Sequence, residues 1–99
     1  MKIRVCRSDD LKEGGIKSAK VLARTVIVVR LNRELYGLEG DCKHMKASLA
    51  TGKIEGEIIV CPMHGWRYNI TTGDCINEPW ARLKMYRAWD EEGSIFVEI

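Results

Sequence analysis

No aliphatic run longer than Val26–Val29 occurs in these 99 residues. That is far short of a helical bilayer span, which needs about 20 residues. The opening stretch MKIRVCRSDD lacks the apolar core of a secretory signal. A soluble cytoplasmic protein with no membrane partner is expected. Blocks of one charge sign are also missing: 16 basic and 14 acidic residues are interspersed, for a net charge of +2. A nucleic-acid binder would show a basic patch or stripe, so that partner is excluded from the expectation. There is no internal repeat, low-complexity tract or linker, and no stretch carries a sustained 3.6-residue apolar period. No nucleophile–base pair or substrate-pocket motif stands out, so the chain is not expected to be an enzyme in its own right. With 45% hydrophobic residues, the composition is that of an ordered globular chain. Its length fits one small domain over 1–99 with a modest core, and a monomer is expected.

What the sequence does have is a run of short strand patterns. KIRV alternates apolar and charged residues at period two. SDDLKEGG, residues 8–15, is rich in turn formers. Lys20–Leu31 is apolar and β-branched enough for one or two strands, NRE offers a turn, and LYGLEG reads as the return strand. ASLATGKIEGE is expected to be a loop, with at most one short helical turn near Ala47–Ala50. Ile58–Val60 is a short buried strand, and YNITTGD a strand and turn. LKMYRAW and SIFVEI flank DEEG as a final hairpin. The fold class is all-β.

Four cysteines in a cytosolic chain point to metal or redox chemistry rather than a disulfide scaffold. Two of them, with both histidines of the chain, form the pattern C-x-H, sixteen residues, C-x-x-H: Cys42 and His44, then Cys61 and His64. Each pair follows a strand. Gly40 precedes the first and Gly65 closes the second, permitting tight turns, while Pro62 stiffens the second loop. Two thiolates and two imidazoles could bind one tetrahedral zinc, which would make the chain a zinc-stapled structural or binding module. In the usual zinc-finger order the cysteines share one pair and the histidines the other. Here each loop is mixed, which also suits a binuclear centre with both Cys on one iron and both His on the other.

The pattern, with CPMHGWRYNITTG around its second half, resembles the Rieske [2Fe–2S] family. The likeness extends through ELYGLEGDCKH, the NEP segment and the closing EEGSIFVEI. The resemblance implies three small antiparallel sheets, a cluster-binding tip over about residues 40–80 and a base from the rest. It implies one cluster per chain, with Cys42 and Cys61 on the inner iron and His44 and His64 on the outer. It also implies a soluble ferredoxin that carries single electrons between a reductase and an oxygenase or another redox enzyme. A small Rieske subunit of a larger oxidoreductase shares the same cluster.

Departures from the family narrow the branch. Respiratory members carry a disulfide between the cluster loops, and the matching positions here are Ala47 and Met63. They also place a serine where this chain has Trp66, so one hydrogen bond to the cluster is missing and a lower potential is implied. Tyr68 is kept, and its phenol is expected to donate toward a cysteine sulfur. Pro79 in NEPW is expected in a third loop over the cluster. Trp66 and Trp80 are expected to pack with partial exposure. Met45, Met63, Trp66 and Pro79 would give the tip an apolar centre for a redox partner, with Lys43, Lys46 and Arg67 at its rim to steer an acidic one. Cys6 and Cys75 are expected to be unligated thiols.

Overall fold

The computed structural model describes every residue of the chain except Met45. Among the described residues nine strands run in the order β1 Lys2–Arg7, β2 Ile16–Val21, β3 Arg24–Leu31, β4 Glu34–Glu39, β5 Lys53–Glu55, β6 Ile58–Val60, β7 Arg67–Asn69, β8 Met85–Glu91 and β9 Ser94–Glu98. Two single turns of 3-10 helix, Ser8–Asp10 and Leu49–Thr51, are the helical elements among the described residues. The second falls two residues beyond the start of the turn expected near Ala47–Ala50. All strand pairings are antiparallel.

Hydrogen bonding gives a six-stranded sheet, β1-β9-β8-β4-β3-β2, and a three-stranded sheet, β5-β6-β7. Two of the three sheets that the family resemblance implied are therefore joined. The join is β8: its first residues, Met85 and Tyr86, pair with Leu38 and Gly37 of β4. From Arg87 onward it pairs with β9 instead. The apolar segment 20–31 divides at Leu22–Ala23, and its first strand begins earlier, at Ile16. Asn32 and Arg33 both adopt left-handed φ, 53° and 67°, as a two-residue hairpin turn requires. The Glu13 carboxylate accepts both of their N–H groups, and those two bonds hold its pKa below the usual carboxylate value.

β3 explains how the core is divided. Val26, Ile27, Val28 and Val29 are all fully buried, as a strand covered on both faces must be. Ile27, Val29 and Leu31 face one core with Cys42, Cys61, Tyr68, Ile70 and Cys75. Val26 and Val28 face the other, with Leu11, Ile95 and Val97. The first core supports the Cys-His loops and the second is the base. Each fully buried aliphatic side chain contributes on the order of ~1.5–3 kcal/mol of transfer free energy, an upper figure for a compact unfolded chain. Cys6 lies against the base core and Cys75 in the first. The two thiols sit on opposite sides of β3 and are unbridged.

Candidate metal centre

β4 ends at Glu39 and hands the chain to the first Cys-His loop; β6 ends at Val60 and delivers the second. The two loops fold alike. In the first, the Cys42 N–H donates to the Ala47 carbonyl and the Cys42 carbonyl accepts from the Lys46 N–H, both at 2.8 Å. In the second, the Cys61 N–H donates to the Trp66 carbonyl at 2.8 Å and the Cys61 carbonyl accepts from Gly65 at 3.1 Å. The residue that closes each turn is left-handed: Lys46 at φ 54° and Gly65 at φ 73°. Gly65 meets that need without a side chain, whereas a non-glycine residue in this region costs ~1–2 kcal/mol. Lys46→Gly is therefore expected to raise unfolding stability by about 0.5–1 kcal/mol after the entropy cost of glycine. A denaturant titration showing a loss instead would mean that the Lys46 side chain stabilises its own loop. Gly40 serves differently from Gly65: a Cβ there would lie 2.7 Å from the Thr25 Cγ2, so the first loop needs it for close approach to β3.

Cys42 and Cys61 are sealed inside, 1% and 2% exposed, while His44 and His64 are exposed. The two sulfurs interact with each other. The imidazoles meet edge to face, with ring centroids 5.1 Å apart and planes at 79°. A metal bonded to one nitrogen of each ring at about 2.1 Å would put the centroids roughly 4.5–5.3 Å apart. The observed pair fits. Among the described residues, no group of three or more His, Cys, Asp or Glu side chains gathers as a single ion would need. The donors form a buried sulfur pair and an exposed imidazole pair, which is the division a binuclear iron–sulfur cluster takes.

Donors to sulfur surround the buried pair. The Tyr68 hydroxyl accepts the Lys43 N–H at 2.9 Å, which leaves its own proton for the Cys42 Sγ at 3.2 Å. Tyr68 is fully buried. Burial first, and the Cys42 thiol second, push its pKa well above the ordinary phenol value, so it stays a donor at any physiological pH. The Met63 and His64 N–H groups donate to the Cys61 sulfur and partly offset the burial that raises its pKa.

Around the imidazoles the surface is apolar. Met63 is 58% and Trp80 68% exposed, and Pro62 and Pro79 are exposed. Trp66 is half-buried against the first core, as expected, but Trp80 is far more open than a packing residue. Ile76, 59% exposed, is tied to the strand that leaves the second loop, its N–H donating to the Arg67 carbonyl. Sequence reasoning passed over it; the available signal was an apolar residue among turn formers with no strand period to explain it. Met45, also expected at this tip, lies outside the described residues. The rim cations differ in freedom. Lys43 pairs with Glu39 at 3.0 Å and Arg67 with Glu55 at 2.7 Å, both in intramolecular ion pairs.

Comparison with known proteins agrees with this geometry. A family model described as "Rieske [2Fe-2S] domain" matches residues 1–87. The chain is 32% identical over 97 residues to ferredoxin CarAc of Metapseudomonas resinovorans, covering 96% of this chain and 91% of that protein. It is 34% identical over 96 residues to the oxygenase component of a 3-ketosteroid-9-alpha-monooxygenase of Rhodococcus rhodochrous, covering 89% of this chain but 24% of that protein. Among solved structures it resembles a chain in a complex of reduced oxygenase and oxidized ferredoxin in carbazole 1,9a-dioxygenase. The TM-score is 0.86 at 32% identity, over 97% of this chain and 91% of that one. The chain belongs to the Rieske [2Fe–2S] domain family, and one Rieske cluster is its cofactor.

Proposed function

We propose that this chain is a single-domain, monomeric, cytoplasmic ferredoxin that carries single electrons from a reductase to an oxygenase or a similar acceptor. In this reading Cys42 and Cys61 hold the inner iron and His44 and His64 the outer, within a tip formed by residues of about 40–80. The observation that carries the reading is the sorting of the four donors: two buried, mutually contacting sulfurs inboard, two exposed, mutually contacting imidazoles outboard. The ferredoxin relative, of which the chain covers 91%, supports the carrier over a segment of a larger oxygenase. Among the described residues no helix is long and apolar enough to cross a membrane.

When bound, the cluster supplies a one-electron couple whose potential imidazole ligation raises above that of an all-cysteine cluster. The protein's own groups do the rest. The Tyr68 hydroxyl and the Met63 and His64 N–H groups place donors on the cysteine sulfurs, and such hydrogen bonds favour the more negative, reduced state. The exposed imidazoles shorten the path to a partner. Met63, Ile76, Trp80 and Pro79 give that partner a small apolar contact, as transient redox encounters use. Lys43 and Arg67 are held in local ion pairs; among the described residues no ion pair is found for Lys46, which suits it to steer an acidic partner.

The decisive measurement is composition and resonance. Purified protein is expected to hold two iron and two sulfide per chain and to give a rhombic electron-paramagnetic-resonance signal once reduced. One zinc and no colour would return the chain to a structural module. With no loop disulfide and no serine donor, the midpoint is expected in the low part of the Rieske span, about −150 to 0 mV. Tyr68→Phe removes a donor of ~1 kcal/mol and is expected to lower the midpoint by some tens of millivolts. An unmoved midpoint would mean that the Tyr68 hydroxyl serves the Lys43 N–H alone.

A further inference from the structure

Trp66 belongs to the second loop, yet its indole lies on the histidine of the first. The rings of Trp66 and His44 stack with centroids 4.6 Å apart and planes 19° from parallel. Trp80 then meets Trp66 edge to face at 5.9 Å and 68°. The Trp66 main chain is pinned on both sides: its carbonyl accepts the Cys61 N–H at 2.8 Å, and the Arg67 N–H donates to the Asn77 Oδ1 at 2.8 Å. The Trp66 side chain packs on the first core. His44, by contrast, is exposed, and its ring touches those of His64 and Trp66. The more buried, core-packed partner in this stack is the tryptophan.

We propose that Trp66 is a positioning residue for His44: it fixes the plane of that imidazole across the gap between the loops and holds the redox midpoint down. The inference rests on His44 being a cluster ligand. Two effects give the sign, and they agree. An aromatic face is the negative part of the ring's quadrupole. Stacked on an imidazole ligand, it opposes the extra negative charge that arrives on reduction. The indole also keeps water from one face of His44, and water would favour the more highly charged reduced state. Position 66 thus works against reduction, whereas the serine implied there in the respiratory branch would work for it.

The test uses the full-length cluster-loaded protein with Trp66→Phe and Trp66→Leu, read by redox titration and by nitrogen hyperfine couplings in the reduced state. Leucine keeps bulk but has no π face; phenylalanine keeps a weaker one. The oxidised-to-reduced ratio at a fixed applied potential is expected to fall about three- to tenfold in Trp66→Leu. At 59 mV per decade for one electron, that is an upward shift of roughly 30–60 mV. Trp66→Phe should shift less in the same direction, and one imidazole's coupling should change while the other's holds. If leucine at this position does not retain the cluster, the phenylalanine variant and its sign decide. An unmoved or lowered midpoint in variants that keep the rhombic signal overturns the proposal, because a residue that merely packs would alter stability and leave the couple alone. Absence of that signal from the unmodified protein would instead overturn the assignment of the ligands.

Discussion

Replacing Cys61 with alanine is expected to abolish iron and sulfide binding, while replacing Cys75 with alanine leaves two of each per chain. Composition does not separate these two thiols. Both are reduced, and both are buried, at 2% and 7% exposure. Both pack in the core under the loops. What differs is placement. Cys61 opens a loop whose amide groups at Met63 and His64 are turned onto its sulfur, and it contacts Cys42 across the gap. Cys75 pairs through its backbone with Tyr68 and behaves as a small buried hydrophobe. Truncating Cys61 takes away one of the two thiolates proposed for one iron. Truncating Cys75 removes one sulfur's worth of packing, on the order of ~1 kcal/mol. Iron and sulfide analysis with the visible spectrum reads the contrast directly. A colourless Cys75→Ala protein beside a brown Cys61→Ala protein would invert the ligand assignment.

The candidate donor set could be picked out of the sequence because its pattern is local. Within each loop, Cys and His are two or three residues apart, and Gly65, which lets the second loop turn, stands next to His64. The all-β class was legible for a similar reason: Lys2–Val5, Ile58–Val60 and the hairpin around Glu92–Gly93 carry their own alternation and turn residues. Features that depend on pairing between distant segments were not. β5 is three residues between two glycines, too short for a period, and it is a strand only because β6 folds back on it at Gly56. The merger of two sheets through β8 depends on two residue pairs between segments nearly fifty residues apart. The likeness of the two loops was hidden by Lys46, which occupies a backbone conformation that its residue type does not announce. The stack of Trp66 on His44 crosses from one loop to the other, and no spacing rule within either loop encodes it.

His64→Cys is expected to keep a cluster and to lower its midpoint by on the order of a hundred millivolts, about a third of the gap between Rieske and all-cysteine centres. The exchange turns a neutral donor into an anionic one, and the added charge makes the reduced state harder to reach. A thiolate is itself a good iron ligand, which favours retention. His64 is also exposed, so its replacement leaves little buried surface unfilled. The redox titration is best run beside His44→Cys. That change also removes the imidazole from the Trp66 stack, so its midpoint carries two contributions, lowered by the thiolate and raised by the lost ring contact. His64 touches His44 edge-on, and among the described residues it is His44 that stacks on Trp66, so the His64 variant reports the ligand charge more cleanly. The drop should thus be larger for His64→Cys than for His44→Cys. Equal drops would say that the indole exerts no electrostatic pull on its neighbour, and no drop in either would remove both histidines from the iron.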